Sequence, residues 1–193
     1  ICYFYDKEIA RVQSQWAKVQ AHQGVKYPKA SKHLRRLYEK RRCAVKDYLH
    51  KMSRYIADYC EKESINTVVI GDITGIRTDN NLGTRINRQL HSLPYAELYI
   101  MLEYKLKMKG IRFVKQEESY SSQCSPLSPE VSFVYAHKAN RKQRGLYSSE
   151  GATYNADAVG AYNILRKYKK VTGTNINLPV SGLSDTKMIK VAV

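Results

Sequence analysis

Paired cysteines, acidic residues and long apolar runs are all scarce in this sequence of 193 residues. Its four cysteines form no C-x-x-C pair, which argues against a disulfide framework or a zinc knuckle and favours free thiols in a reducing cytosol. No apolar run approaches the roughly 18–20 residues that span a bilayer, and no basic segment followed by an apolar core indicates a secretory signal. Internal repeats and low-complexity segments are also absent, which excludes repeat architectures and wholesale disorder.

The shortage of acidic residues leaves a large positive charge. Lys and Arg number 33 against 17 Asp and Glu, which gives a formal net charge of +16. We expect such a chain to bind a polyanion in a salt-dependent way. A membrane surface is less favoured, because no terminal amphipathic helix or lipidation motif is present. Sixteen aromatic residues are tyrosines, whose rings can meet bases or sugars, although we expect most of them to be half-buried on helix faces.

Hydrophobic periodicity predicts a mixed α/β chain. Residues Ile1–Tyr5 alternate loosely and predict a strand, Asp6 and Lys7 predict a turn, and residues 8–22 predict a helix. A second helix of roughly 30 residues follows, with Ser31 as its N-cap.

The second helix has a strongly basic polar face. Its basic side chains are Lys32, Arg35, Arg36, Lys40, Arg42, Lys46, Lys51 and Arg54. We expect this face to contact the phosphates of a nucleic acid, and the alternative is an ordinary solvated polar face.

A strand–helix–strand unit follows the second helix. Residues 65–72 predict a buried parallel strand, residues 94–109 predict a helix with Gly110 at its end, and residues 111–118 predict the next strand. Together they predict a βαβ unit with a right-handed crossover. A polar loop is predicted over 77–88, irregular structure over 120–150, and a last helix over 157–168.

Three carboxylates stand where predicted elements begin or end. Asp72 ends the first strand of the βαβ unit, Glu118 ends the second, and Asp157 opens the last helix. Sites in open α/β sheets lie beyond the carboxyl ends of the strands, and Mg²⁺ binds carboxylate oxygens from several elements. Two such ions about 3.5–4 Å apart can align a water and stabilise the leaving oxygen of a phosphodiester. Alternatively, Asp72 closes a turn, Glu118 is a surface residue and Asp157 caps a helix.

The segment around Asp157 carries the most specific motif. An aspartate precedes small residues that let a helix approach a sheet closely, in the order Asp157, Ala158, Gly160, Ala161, Asn163 and Ile164. With this motif the chain resembles the C-terminal part of the OrfB (TnpB) proteins of insertion sequences, the RNA-guided nucleases related to type V CRISPR effectors. Further segments match the family in the same order along the chain, at residues 68–72, 102–111, 118–125 and 144–147.

The resemblance implies an RNase H-like (RuvC) mixed sheet flanked by helices, which cuts DNA with two Mg²⁺ ions under the direction of a guide RNA. It implies that Asp157 and Glu118 are catalytic residues and metal ligands, with Asp72 as a further catalytic candidate. Residues 1–170 would form a partial RuvC-like domain, with a degenerate zinc-ribbon insertion over 120–150 and a tail over 171–193. A protein of this kind acts on DNA in the bacterial cytoplasm, in association with the nucleoid.

The chain departs from the family pattern at its first two carboxylates. The aspartate of the first RuvC motif should lie before Ile1, and the missing initiator Met predicts an excised or truncated piece. Gly71 stands where the family has its second-motif Glu. We assign that role to Glu118 in preference to Asp72, with Glu103 third, because Glu118 ends a strand of the same sheet.

The zinc-ribbon cysteines are the third departure from the family pattern. Cys124 remains, but Leu127 takes the place of its partner, and the later pair is replaced by Ser148, Ser149 and Gly151. We predict no zinc, because one thiolate cannot close a tetrahedral site.

Two rival interpretations stay open. A nuclease-inactive nucleic-acid-binding protein, either a guided repressor or a decayed transposon remnant, would also fit Gly71 and the missing first aspartate. A merely basic structural protein would bind nucleic acid weakly and without a salt dependence.

Overall fold

A computed structural model of the chain describes residues 1–27, 29–74, 94–141, 143–186 and 189. In chain order its elements are α1 (Cys2–His22), α2 (Lys32–Lys62), β1 (Thr67–Asp72), α3 (Tyr95–Met108), β2 (Arg112–Glu117), β3 (Leu146–Ser149), β4 (Ala152–Asn155) and α4 (Ala156–Thr172). Short 3-10 helices cover Phe133–Tyr135, Lys138–Asn140 and Ser181–Leu183. The loop predicted over 77–88 lies outside the described residues. None of the helices described is both long and apolar enough to cross a membrane.

The first helix begins earlier than the sequence pattern predicted. The strand predicted over Ile1–Tyr5 is wrong, because α1 already begins at Cys2. The half-buried side chains of Cys2 and Tyr5 continue the helical spacing of the buried Ile9 and Val12. The loosely alternating residues Ile1–Tyr5 therefore belong to the start of a helix and not to a strand.

The long second helix is confirmed, together with its cap. The Ser31 side chain accepts a hydrogen bond from the backbone N–H of Leu34 at 3.1 Å, as an N-cap does. Leu34 is buried against α1. The turn predicted at Asp6 is wrong as well, because Asp6 lies within α1 and pairs with Arg41 of α2 at 2.9 Å.

The predicted parallel pair of strands is confirmed. β1 and β2 pair in parallel, with Thr67 opposite Arg112 and Asp72 opposite Glu117, so both carboxyl ends lie at one edge. In the described part of the chain these two strands form one sheet, and β3 and β4 form a separate antiparallel hairpin. The sequence pattern did not predict this hairpin, because the serines of β3 and the four-residue length of both strands resemble a loop. The mixed α/β class is confirmed, and an RNase H-like sheet stays a prediction.

Two helices cover the two faces of the parallel pair. Phe113 packs against the core cluster that includes Leu102 and Leu106 of α3. The adjacent Arg112 donates a hydrogen bond to the hydroxyl of Tyr168 on α4 at 2.7 Å. Since successive strand residues point to opposite faces, α3 and α4 lie on opposite sides of the sheet.

Part of the segment after α4 packs back on the domain. Leu183 is buried beside Tyr147 and Val159, and the Tyr162 hydroxyl donates to the carbonyl of Leu178 at 2.9 Å. This segment therefore holds α4 to the β3–β4 hairpin.

Candidate metal site and nucleic-acid interface

The carboxylate of Glu118 lies directly over the backbone of Gly71. A Cβ atom at position 71 would be 3.0 Å from the Glu118 Cδ, still closer to its Oε2, and 3.2 Å from Cδ1 of Ile164. Gly71 itself is buried in β1. Glu118, which follows β2, thus fills the space that a side chain on the neighbouring strand would take. The glycine and the glutamate are sterically complementary.

The Glu118 carboxylate forms no ion pair with a described residue. It is partly buried, and no hydrogen-bond donor from the described residues reaches it. Burial raises its pKa, and the negative charges of Glu117 and Asp72 raise it further. Adjacent Glu117 is the opposite case: Lys167 of α4 and Ser119 donate to it, which lowers its pKa to about 2. A desolvated carboxylate beside like charges is a suitable ligand for a cation.

Asp72 closes a turn at the end of β1. The backbone N–H of Thr74 donates to Asp72 Oδ1 at 2.9 Å, and the Thr74 hydroxyl donates to the same oxygen. These hydrogen bonds lower the pKa of Asp72. The turn was one of the alternatives that the sequence left open, and Asp72 still contributes a negative charge beside Glu118.

Tyr99 fixes the backbone beneath the Glu118 carboxylate. Its buried hydroxyl donates to the carbonyl of Gly71 at 2.6 Å and accepts from the N–H of Ile73 at 3.2 Å. The ammonium group of Lys115 lies 4.8 Å from the centre of the Tyr99 ring. Sequence reasoning missed this residue, since a tyrosine at helical spacing is indistinguishable from an ordinary core residue.

Asp157 lies in the first turn of α4, which the Asn155 side chain caps by accepting from the N–H groups of Asp157 and Ala158 at 3.0 Å. Asp157 and Ile164 are seven residues apart, hence on the same helix face, with about 10 Å of axial rise between them. Ile164 lies near Gly71, so Asp157 lies on the same face of α4 but about two turns further along the helix. Asp157 is exposed and is not among the charges that raise the pKa of Glu118. The charges that act on Glu118 are those of Glu117 and Asp72.

The third candidate for the second carboxylate, Glu103, is exposed on α3. No group of three or more His, Cys, Asp or Glu side chains that could hold a metal ion occurs among the residues described. The metal-ligand roles of Glu118 and Asp157 therefore stay a prediction.

The segment after Glu118 is held in place by two polar side chains of α4. The Asn163 amide donates to the carbonyls of Ser121 and Cys124 at 2.8 and 2.9 Å. The Arg166 guanidinium donates to the carbonyl of Ser125 at 3.1 Å and also to that of Ser128. Asn163 was part of the predicted motif, whereas Arg166 was missed. A lone Arg in a basic helix gives no sequence signal of burial.

The remaining zinc-ribbon cysteine takes part in this packing. Cys124 is fully buried, and its thiol donates to the carbonyl of Ser132 at 3.3 Å. Burial raises the pKa of the thiol, so the thiolate that a metal would need is disfavoured. The absence of zinc stays a prediction, and Arg166 supplies a cation that can join the same backbone segments.

We expect Arg166→Met to destabilise the segment over 119–132. The change leaves carbonyls without their charged donor, and such bonds contribute about 1.5–3 kcal/mol each. Thermal unfolding and limited proteolysis would measure the effect, with a lower melting temperature and new cleavage within this segment. Lys169→Met is the matched control on the same helix. Equal proteolysis of both variants would contradict the role of Arg166.

The eight basic residues of α2 that are predicted to contact phosphates differ in whether they form ion pairs within the chain. Arg42 pairs with Glu39 at 2.7 Å, and Lys51 pairs with Asp47 at 2.9 Å. The other six (Lys32, Arg35, Arg36, Lys40, Lys46 and Arg54) are exposed and have no ion pair with a described acidic residue. These six are the side chains that are free to meet phosphates, and nucleic-acid binding by this face stays a prediction.

Two family models match separate parts of the chain. Residues 3–77 match the family model OrfB_IS605, described as a probable transposase, and residues 95–164 match the TNB domain of Cas12f1-like proteins. Over 108 residues the chain is 33% identical to the CRISPR-associated endodeoxyribonuclease Cas12f1 of Sulfoacidibacillus thermotolerans, covering 55% of this chain and 24% of that protein. The chain thus spans about a quarter of this relative. The predicted resemblance to the OrfB (TnpB) family is confirmed.

Solved structures resemble the fold. A cryo-EM structure of a Cas12f1–sgRNA–target DNA complex matches with a TM-score of 0.60 at 21% identity, covering 84% of this chain and 41% of that one. A cryo-EM structure of a CRISPR–Cas12f ternary complex matches with a TM-score of 0.56 at 23% identity, covering 84% and 32%. At these identities the likeness is one of fold.

Proposed function

Residues 3–77 and 95–164 are TnpB/Cas12f-like, and from this relationship we propose that the chain is the RuvC-like part of an RNA-guided DNA endonuclease associated with insertion-sequence transposition. The observation that carries the proposal is the position of Glu118. Its partly buried carboxylate, at the end of β2, covers Gly71 at the carboxyl edge of the parallel strands. This is the edge at which α/β folds place their sites.

The residues at this edge fit a hard divalent cation. Glu118 and Asp157 would hold it, because both offer the carboxylate oxygens that such a cation prefers. When bound, Mg²⁺ supplies an activated water and stabilises the charge on the leaving oxygen of a phosphodiester. The raised pKa of Glu118 shows the cost of its ionised form without a cation, and a bound cation would remove that cost.

The surrounding residues keep the two ligands in position. The Tyr99 hydroxyl holds the Gly71 carbonyl, so the backbone under Glu118 is fixed. The ion pair of Glu117 with Lys167 anchors the end of β2 to α4, the helix that carries Asp157. The chain would then contribute to catalysis by holding the Glu118 and Asp157 carboxylates in place. It would also neutralise the Glu117 carboxylate, which is not a ligand.

A cleavage assay with the full-length protein, its guide RNA and a matching DNA duplex tests the proposal. We expect cuts that require Mg²⁺ and guide and that stop on chelation. The chain of 193 residues alone should be inactive, since its described residues do not complete a two-metal site. Guide-dependent binding without any cut, at saturating Mg²⁺, would favour the nuclease-inactive protein instead.

DNA and guide RNA are the proposed partners of the basic face of α2. The unpaired cations there would meet phosphates of the guide–target duplex, which such effectors hold by its backbone. The proposed place of action is the prokaryotic cytoplasm, in association with the nucleoid.

Removing unpaired charges from α2 should flatten the salt dependence of binding. For a triple Gln variant at Arg35, Arg36 and Lys40, we expect the slope of log K against log salt to fall by up to about 2.7, since each contact to B-DNA contributes about 0.9. Fluorescence anisotropy with a labelled duplex at several salt concentrations measures the slope.

The matched control replaces the two paired cations, Arg42 and Lys51, by Gln. Because these charges are already compensated by Glu39 and Asp47, the slope should change less. If the control flattened the slope as much as the triple variant, net charge rather than this face would explain the binding.

A further inference from the structure

A pair of exposed aromatic rings lies beside Glu118 and has no role in the core. Tyr120 and Phe133 meet edge to face, with ring centres 5.8 Å apart and an interplanar angle of 67°. Phe133 is 75% exposed, its neighbour Val134 is 73% exposed, and Tyr120 is also exposed. Contiguous exposed apolar surface of this kind indicates a binding site.

The backbone at Tyr120 is held in an unusual conformation. Its φ angle is +61°, a left-handed value that is unfavourable for a residue other than glycine. The Tyr120 carbonyl accepts hydrogen bonds from the N–H groups of Gln123 and Cys124 at 2.9 and 3.1 Å. The N–H of Ser121 donates to the carbonyl of Glu118 at 3.1 Å. One tight turn therefore orients both the carboxylate and the ring.

Phe133 lies on a second segment, which pairs with the same turn. It opens the 3-10 helix Phe133–Tyr135, and the chain then forms an antiparallel bridge between Ala136 and Cys124. The N–H of His137 donates to the carbonyl of Gln123 at 3.0 Å. The two rings thus form a pre-organised platform, and Arg166 and Asn163 hold its base to α4.

The charge around the platform favours a polyanion. Residues 131–149 contain no acidic residue. Lys138, Arg141 and Arg144 follow Phe133 by five to eleven residues and are exposed. Aromatic rings with flanking cations are the features that bind single-stranded nucleic acid, by stacking on bases and pairing with phosphates.

We propose that Tyr120 and Phe133 form a stacking site for an unpaired nucleobase of a DNA strand next to Glu118. The inference rests on the proposed function for the source of that strand. The ligand is a single-stranded nucleotide of any sequence, because every base offers a π-face. The Phe133 ring is 75% exposed and therefore accessible to a base, while the basic segment after it would meet the phosphates.

Binding of the chain to a fluorescein-labelled single strand of twelve thymidines, in EDTA, tests the inference. We expect Tyr120→Leu with Phe133→Leu to weaken binding by about fivefold or more, the least that losing one base–aromatic stack costs. An abasic strand of equal length should bind the wild type and this variant alike. The matched control is Tyr55→Leu with Tyr59→Leu, which removes another exposed ring pair, on α2, and should weaken binding less.

Three outcomes would overturn the inference. The double variant could bind the thymidine strand like the wild type. It could lose affinity for the abasic strand equally, which would mean a loss of fold or charge. It could change only the oligomeric state in light scattering, which would assign the rings to an interface between copies. Because EDTA prevents cleavage, ring-dependent binding would stand even if no nuclease activity is found, and cleavage with ring-independent binding would refute this inference alone.

Discussion

The full-length protein with Glu118→Gln is expected to cut its guided DNA target at least about 100-fold more slowly than the wild type, since a metal ion supplies several kcal/mol of transition-state stabilisation. The substitution keeps the volume of the side chain over Gly71 and removes only its charge. Single-turnover cleavage at saturating Mg²⁺ measures the loss. Asp157→Ala is expected to give a comparable loss if both carboxylates hold the metal.

The same variant should not weaken the fold. The folded state raises the pKa of Glu118, so its contribution to stability is present below the unfolded value of about 4.5. That contribution is lost as the pH rises through the folded pKa. At neutral pH without metal, Glu118→Gln should therefore match or exceed the wild type in melting temperature. Mg²⁺ should raise the melting temperature of the full-length wild type but not of the variant.

Glu117→Gln is the matched control, one residue away and with the opposite electrostatics. Its ion pair with Lys167 lowers its pKa to about 2. The contribution of Glu117 to stability is therefore present above about pH 4.5 and is lost as the pH falls towards 2. This variant should be less stable than the wild type above about pH 4.5, and it should lose much less cleavage activity than Glu118→Gln, because Glu117 positions the site but does not bind the metal. Retained cleavage in Glu118→Gln, or an equal loss in Glu117→Gln, would show that Glu118 is not a metal ligand.

The fold was largely predictable where one periodic signal dominated. The cap at Ser31 and the regular spacing of α2 predicted that helix, and the β-branched run before Gly71 predicted a buried strand of a βαβ unit. The start of α1 was wrong, because five residues cannot distinguish a strand from a helical turn without their packing partners. The hairpin of β3 and β4 was missed because its stability comes from the burial of Tyr147 and Tyr154, which is a tertiary effect.

The site was predictable only in its chemistry. The motif predicted Asp157 and Glu118 as ligands, and the position of Glu118 at the end of a strand follows from the βαβ topology. The sequence could not show that Glu118 reaches across to the strand that carries Gly71, because this contact depends on parallel register. Likewise, Tyr99 and Arg166 act through hydrogen bonds to distant backbone carbonyls, and such bonds leave no local pattern in a sequence.

The contact between Gly71 and Glu118 leads to the second large expected effect. In Gly71→Ala the new Cβ would overlap the Glu118 Oε2 and lie 3.0 Å from its Cδ. Because the carboxylate is the end of a flexible side chain, we expect the Glu118 side chain to move and the backbone to stay in place. The Ile164 side chain would have to shift only slightly. Since a misplacement of about 1 Å can cost about 100-fold in rate, we expect cleavage to fall by that factor with little change in melting temperature.

Gly160→Ala on α4 separates this effect from a general intolerance of alanine. A Cβ at Gly160 meets no atom within 4 Å, and alanine is a better helix former than glycine, so this variant should be fully active and slightly more stable. Gly71→Glu combined with Glu118→Gly moves the carboxylate back to the strand where the family pattern has it, and should recover part of the activity that Gly71→Ala loses. Normal cleavage by Gly71→Ala would mean that the position of Glu118 over β1 is incidental, because no ligand of a two-metal site tolerates such a displacement.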